Sequence, residues 1–538
     1  MTSTGTTSEP VVADGGHSST APVAAVVILA AGEGKRMRSS RSKLLHEIAG
    51  HSMLSYAVTA ATSLQPEHVV VVVGHRREQV TEHLAEIAPH ARTVVQTEQR
   101  GTGHAVQVAL AALPELHGDV LVTYGDVPLL TSDTLAELVT EHRSSATAVS
   151  VLTARVEDPT GYGRIVRGTG DEVLAIVEHR DASPQQLIID EINSGIYVFD
   201  AETLRDGLAR LEPTNDQGEL YLTDVLGFAR EAGRSVGAYA TTDRWQTEGV
   251  NDRLQLARMN AEMNRRLLER WMRAGVTVID PATTWLHASV DLAEDVTLLP
   301  GTSLEGATSV AAGATIGPDT TLVDVEVGAG ASVVRTHGSL AVIGAGASVG
   351  PFAYLRPGTV LGEGGKIGTF VETKNARIGA GAKVPHLTYA GDAEIAEGAN
   401  IGAGVIFANY DGVRKATSTV GRNSFVGSDS VLVAPVTVAD GAYVAAGSTI
   451  TGDVEPGELG VGRGRQRNVP GWVVRQRAGT TTAAAAEAAL AGRSVQSTDE
   501  ADQRVVPAPL SDQQVVADPV TADPSTAHHL NLDPERKS

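Results

Sequence analysis

The chain has no cysteine among its 538 residues. That excludes disulfides, thiolate metal sites and a cysteine nucleophile. No apolar run reaches membrane-spanning length, and residues 1–22 lack the basic start and apolar stretch of an export signal. The chain is therefore expected in the cytoplasm and away from membranes. Basic residues are in deficit, giving a net charge of −21, which argues against nonspecific nucleic-acid binding and leaves local phosphate sites open. Aromatic residues are scarce too, at 4%. The length leaves room for two or three domains with ample core.

What the chain has instead is a repeat. Leu292, Leu298, Leu304, Val310, Ile316 and Leu322 fall at intervals of six, as do Ile343, Val349, Leu355, Leu361 and Ile367. The phase returns at Val420, Val426, Leu432, Val438, Val444 and Ile450. Small, glycine-rich positions such as IGAGASVG lie between them. This pattern is the signature of a hexapeptide-repeat parallel β-helix, in which each short strand turns a corner and sends one aliphatic per side into a shared core. The low aromatic content and 57 glycines suit such a prism joined to an α/β domain. The phase slips between Leu322 and Ile343, between Ile367 and Ile378, and after Phe407. The last slip expels the loop NYDGVRKATS, which is either a plain insertion or a binding loop carried on a rigid scaffold.

In chain order, residues 1–22 are rich in Ser, Thr and Gly and read as a disordered tail. In AAVVILAAGEGKRM a buried strand at 25–30 runs into a glycine loop. That arrangement presents backbone N–H groups to a phosphate, or is an ordinary tight turn. Strands at 68–74, 93–96 and 119–126 alternate with helical stretches such as REQVTEHLAEIA. The alternation predicts a doubly wound, Rossmann-like parallel sheet within an α/β domain over 23–250. Ligands bind such sheets at the carboxyl ends of strands, where Gly32 and Asp126 both lie. Asp126 is either a turn former or, opposite a phosphate loop, a Mg2+ ligand. Glu178 and Asn193, near later strand ends, are either partners for sugar hydroxyls or solvated strand termini. Residues 251–273 carry apolar residues at helical spacing and read as a connecting helix inside a linker over 251–283, with Trp271 and Met272 packing. The β-helix domain follows over 284–477, closed by RGRQRNVPGWVVRQR. Residues 478–538 read as a disordered tail whose polyalanine piece is transiently helical.

The motifs LAAGEGKRM, KLLH, QTEQRGTGHA, YGDVPLL, DPTGYGRI, VEHRDA, EINSGIY, QGELYLTD and EGVNDRLQL occur in that order. LRPG, FVETKNA, KVPHLTYAGDAEI, NIGAG, NYDG, VGSDSVLVAPVTV and AAGS follow. Together they resemble the bifunctional family of N-acetylglucosamine-1-phosphate uridyltransferases and glucosamine-1-phosphate N-acetyltransferases, over about 23–475. The resemblance implies a first site in which Leu29, Ala30, Ala31 and Gly32 contact UTP through backbone groups, while Lys43 and the catalytic Arg36 hold phosphate oxygens. Gln96, Gly101 and Thr102 would recognise uracil, with Tyr124, Gly125 and Asp126 completing the pocket. Gly163, Glu178 and Asn193 would face the sugar, and Asp126 and Asn251 would hold Mg2+.

The same resemblance puts a second site on the β-helix, which it implies is left-handed. His386 would be the general base for acetyl transfer from acetyl-CoA. Arg356 and Lys374 would bind the sugar phosphate, with Tyr389 and Asn400 placing the sugar ring. Ala403, Asn409, Tyr410, Ser428, Ala446 and Arg463 would bind acetyl-CoA. Proteins of this kind are homotrimers with sites between subunits, and they make UDP-N-acetylglucosamine for cell-wall precursors. Four positions depart from the family pattern: Glu33 and Lys35 in the phosphate loop, Ser42 where a proline often precedes Lys43, and Asn375 where a second lysine often follows Lys374. Two alternatives remain at this point, a single-activity nucleotidyltransferase with a scaffolding β-helix and a non-enzymatic assembly subunit.

Overall fold

The period-two alternation of the first strand, β1 (Ala25–Ala30), decides the layering of the amino-terminal domain. Ala25, Val27 and Leu29 enter one hydrophobic cluster, and Val26, Ile28 and Ala30 enter another on the opposite face. A strand buried on both faces has helices on both sides, which is the doubly wound arrangement. In chain order the other strands are β2 (His68–Val73), β3 (Arg92–Val95), β4 (Asp119–Tyr124), β5 (Val149–Arg155), β6 (Arg164–Arg167), β7 (Val173–Val177), β8 (Glu191–Asp200) and β9 (Val236–Thr241). They form one sheet in the order β9-β5-β8-β4-β1-β2-β3, with β6 and β7 as a side hairpin. The computed structural model describes residues 21–496 apart from 170, 171, 214 and 216. The disorder expected for 1–20 and 497–538 lies outside the described residues.

One expectation for this sheet is corrected. Strand β8 runs antiparallel to both β4 and β5, so the sheet is mixed rather than wholly parallel. The cause is local connectivity: β6 and β7 form an antiparallel hairpin, and β6 also pairs antiparallel with β8 at Ile192. The chain thus re-enters the sheet without the helical crossover that parallel neighbours require.

A helix at Arg253–Arg273 leads to the second domain, capped by Asp252, whose carboxylate accepts from the Gln255 amide. Its Asn264 side chain donates to the Thr284 carbonyl and accepts from the Leu286 amide, fastening the helix to the first coil. Trp271 packs against the β-helix core as expected, whereas Met272 stays 41% exposed. The first coil strand is Thr277–Val278, inside the stretch read as linker.

Every aliphatic of the six-residue pattern is buried. Along one parallel sheet Leu298 pairs with Ile316, eighteen residues on, which is three six-residue sides per coil. The phase slips appear as shortened coils, Ile316 to Val333 and Val333 to Val349. The coil from Ile401 to Val426 instead takes twenty-five residues, the surplus forming the predicted loop. With the hexapeptide spacing, these rungs make the domain a left-handed parallel β-helix.

The first compact unit, which holds both the sheet domain and the β-helix, ends at Arg463. Residues from 464 form a separate unit with helices Trp472–Gln476 and Thr481–Gln496. The polyalanine piece of the tail, read as transiently helical, lies in the second of these helices, because alanine has the highest intrinsic helix propensity.

Candidate active sites

The amino-terminal site is built where the first strands end. Leu29, Ala30, Ala31 and Gly32 line a cavity of about 300 Å³ together with Lys43, Gln96, Gly101, Thr102, Tyr124 and Asp126. Backbone geometry fixes this wall: the Gly125 amide donates to the Leu29 carbonyl and the Gln96 amide to the Val73 carbonyl. The Gln96 side chain donates to the Gly101 carbonyl, and Gly101, at φ 103°, lies so near Leu220 that a Cβ there would meet its carbonyl oxygen at 2.6 Å. Sequence reasoning missed two polar members of this wall, Gln99 and Glu219. Both stand inside the motifs QTEQRGTGHA and QGELYLTD, so their motifs were visible although their roles were not.

A second cavity, also about 300 Å³, shares Tyr124 and Asp126 with the first and adds Arg36, Asn251 and five polar residues missed in the sequence: Thr160, Tyr162, Ser194, Thr247 and Gln255. Asp126 thus stands on the wall between two chambers. The Val250 amide donates to the Asp126 carbonyl, and the Asn251 amide donates to the Gln255 side chain, so the start of the connecting helix is pinned to the end of β4. Beside this chamber Gly163, Glu178 and Asn193 converge. The Asn193 amide donates to the Gly163 carbonyl, and a Cβ on Gly163 would meet Glu178 Oε1 and Asn193 Cβ at 3.4 Å. Burial pushes the Glu178 carboxyl above its ordinary range, with Asp181 and Asp224 adding to the rise. Burial also raises the Tyr124 hydroxyl, helped by Asp126 and Glu178.

The Lys43 ammonium donates to Asp126 Oδ2 and, at 3.2 Å, to Asn251 Oδ1. Two oxygen donors from distant segments therefore converge on one cationic position. Both are hard oxygen donors of the kind a divalent cation takes with few protein ligands, and here the Lys43 ammonium lies against them. The departures near Lys43 also have a structural reading. Glu33 and Lys35 pair with each other at 2.9 Å on the surface. Ser42 sits at φ −55°, the value proline would impose, and its amide donates to Gln79 Oε1 at 2.8 Å, a bond proline lacks.

On the β-helix the expected residues occupy successive rungs. His386 ends the strand Lys383–His386, exposed, and Leu387 at φ 49° turns the corner to Tyr389. Gly404 donates its amide to the His386 carbonyl, and Asp429 donates to the Ala403 carbonyl. A Cβ on Gly402 would meet the Ser428 amide, and one on Gly427 the Ala446 amide, so Ala403, Ser428 and Ala446 stack along one edge. Asn400 lies on the next strand of the same sheet, in register with Lys383, and Arg463 closes this unit of the chain.

A second corner gathers the cations. Arg356 pairs with Glu372 at 2.9 Å. Lys374 meets Lys415, and that neighbouring ammonium is the main cause holding the Lys374 amine below its usual range, with Arg356 adding and Asp392 opposing. Asn375, in the left-handed region at φ 46°, donates to Asp392, which also accepts from Asn409. Asn375 thus couples two coils to the extruded loop, where Tyr410 is 58% exposed. Lys415 was missed by sequence reasoning, although it lies in the loop already singled out and carries the charge a phosphate attracts. The structure does not unite all the second-site residues: no hydrogen bond or ion pair among the described residues joins the His386 imidazole to the cation corner.

A nucleotide-type α/β fold with a phosphate loop, followed by a hexapeptide-repeat prism, defines a sugar-nucleotide transferase fused to an acyltransferase scaffold. Comparison with known proteins agrees domain by domain: a MobA-like NTP transferase domain matches residues 26–195, and bacterial transferase hexapeptide repeats match 417–452. The chain is 57% identical to the bifunctional protein GlmU of Pseudarthrobacter chlorophenolicus over 87% of its own length and 96% of that protein's. It is 54% identical to GlmU of Corynebacterium efficiens (86% and 96% covered) and 56% to that of Streptomyces avermitilis (87% and 97%). The chain belongs to the bifunctional GlmU family. Because these matches run through both domains, neither the single-activity nor the non-enzymatic alternative is favoured.

Proposed function

We propose that the chain acetylates glucosamine 1-phosphate with acetyl-CoA on the β-helix and couples the product to UTP in the amino-terminal domain. The observation that carries this reading is the pair of chambers meeting at Asp126. The first accommodates a nucleotide against Leu29–Gly32 backbone and Gln96, and the second a sugar phosphate near Arg36 and the Gly163, Glu178 and Asn193 cluster. Lys43 and Arg36 hold phosphate oxygens and neutralise charge that grows as a sugar-phosphate oxygen attacks the α-phosphate of UTP in line. The P–O bond to pyrophosphate breaks as the new one forms, with no covalent protein intermediate. Asp126 and Asn251 would hold Mg2+, which supplies Lewis-acid neutralisation of the phosphates.

On the prism, His386 takes a proton from the sugar's 2-amine as it attacks the thioester carbonyl, and the CoA thiolate leaves. Arg356 and Lys374, joined by Lys415, would hold the sugar phosphate, while Tyr389 and Asn400 place the ring. The Ala403, Ser428 and Ala446 edge, the loop residues Asn409 and Tyr410, and Arg463 would hold acetyl-CoA. We infer a homotrimer, because His386 and the cation cluster stand at different corners and would complete one site across a subunit boundary. Exposed apolar corners support this: Phe352 and Phe370 stack at 5.4 Å and Leu387 is 60% exposed. No helix among the described residues is long and apolar enough to cross a membrane, and a cytoplasmic location fits these substrates.

The test uses glucosamine 1-phosphate and acetyl-CoA without UTP and follows release of free thiol. With no cysteine in the chain, the background is low. Sugar-dependent release is expected; its absence from protein that still converts preacetylated sugar phosphate and UTP would reduce the β-helix to a scaffold.

A further inference from the structure

Arg164 is among the largest fully buried side chains of the protein, at 1% exposure. No carboxylate lies within ion-pairing distance of it among the described residues, Asp158 acting on it only from farther away, although a buried cation ordinarily requires a close partner. Its guanidinium instead faces two backbone carbonyls and an imidazole nitrogen, on three separate segments. One Nη donates to the Tyr162 carbonyl. The other lies 3.4 Å from both His179 Nδ1 and the Leu187 carbonyl, and Nε is buried without a partner.

Those three segments surround the sugar side of the amino-terminal site. Tyr162 lines the second chamber with Asp126 and Asn251 and immediately precedes Gly163. His179 follows Glu178. Leu187 ends the short helix Pro184–Leu187, which a capping box between Ser183 and Gln186 holds in place. Arg164 itself opens β6, pairing with Val177 of β7 and Ile192 of β8, so its backbone is anchored between the strands that carry Glu178 and Asn193. A planar, five-donor fork can address several acceptors in fixed directions at once, which neither a lysine nor an apolar residue can do. An apolar side chain would fill the same volume at lower desolvation cost, so packing alone does not account for an arginine here.

We infer that Arg164 is a positioning residue for the sugar phosphate: its guanidinium ties the turn before Gly163 to the segment bearing Glu178 and so sets the spacing of the groups that face the sugar. This rests on the reading of Gly163, Glu178 and Asn193 as the sugar side of the uridyltransferase site. Arg164 touches no reacting atom; it acts through Tyr162 and His179.

The experiment compares Arg164→Lys, Arg164→Met and His179→Ala in the full-length protein, measuring KM for N-acetylglucosamine 1-phosphate and for UTP separately, with acetyl transfer as an internal control of folding. The expected result is a rise of about tenfold in the sugar-phosphate KM for Arg164→Met, a smaller rise for the other two, and a UTP KM within about twofold of the parent. Acetyl transfer should be unchanged. A fall in Tm with both KM values preserved, or a parallel rise in both, would overturn the inference. Should Arg164→Met not fold, the lysine and His179→Ala variants still decide: an unchanged sugar-phosphate KM in both refutes it. Glu178→Gln separates the two levels of argument, since an unchanged sugar-phosphate KM there would remove the sugar reading itself, whereas a raised one with Arg164 variants inert would remove only the positioning role.

Discussion

The sheet domain and the prism solve the problem of building a site in opposite ways. In the sheet domain, residues far apart in sequence, from Leu29 to Asn251, bend around strand ends and enclose chambers within a single chain. On the β-helix each coil adds one rung to a convex edge, so His386, Ala403, Ser428 and Ala446 line up along it. A concave site is complete when its own domain folds. A convex edge gains specificity only from what is laid against it, which is the physical reason for proposing subunit contact on one half of the molecule and not on the other.

The comparison is broken most severely at Asp126, which with Tyr124 is shared by both chambers. Asp126→Asn is expected to lower uridylyl transfer by on the order of a thousandfold, about 4 kcal/mol of transition-state stabilisation, while sparing acetyl transfer. Equal loss of both activities would indicate a folding defect and erase the independence of the two regions. Next comes Phe407→Ala. Phe407 is fully buried in the coil that leads into the extruded loop, and its truncation should cost about 3–4 kcal/mol. Because a repeat stack is held together by neighbour-to-neighbour contacts, acetyl transfer should vanish at lower denaturant than uridylyl transfer. Coincident loss would mean that the two regions unfold as one.

His386→Ala tests the other half. Removal of a general base predicts a loss of about a hundredfold in acetyl transfer, roughly 3 kcal/mol, with uridylyl transfer untouched. A wild-type rate would strip His386 of the role. Glu178→Gln has a smaller effect with a defined pH dependence. Burial raises the Glu178 pKa above its ordinary 4.5, so the folded state favours the protonated form and ionisation at neutral pH costs stability. The amide should therefore raise Tm near pH 7.5. That gain should shrink as pH falls through the raised pKa towards 4.5. A gain independent of pH would assign the effect to packing.

How much of this was legible in the chain also divides by region. The prism announces itself because each coil repeats the same physical demand, one inward aliphatic per side, and the extruded loop shows as a lapse in phase after Phe407. The sheet was legible as strands but not in direction: EINSGIYVFD alternates in the same way whether β8 runs parallel or antiparallel to β4. Lone glycines and acids carried no decisive signal, since Gly32, Asp126 and Glu178 each have an ordinary structural reading, and the ordered motifs supplied the assignment. Gln255 and Lys415 escaped notice because their importance comes from what the fold brings beside them, Asn251 in one case and Lys374 in the other.

The smallest effect is expected at Ser42, where the comparison sharpens to one backbone hydrogen bond. Its φ of −55° already matches proline, so Ser42→Pro introduces no strain at that torsion and reduces the freedom of the unfolded chain, a gain of about 0.4–1 kcal/mol. Against this stands the bond from the Ser42 amide to Gln79 at 2.8 Å, part-buried, whose loss costs about 1 kcal/mol. The two nearly cancel, and stability should stay within about 0.5 kcal/mol of the parent. Lys43 remains held by Asp126 and Asn251 in either case, so the KM for UTP should change less than about twofold. A severalfold drop in that KM would mean that the backbone at Ser42, and not those two oxygens, sets the reach of the ammonium.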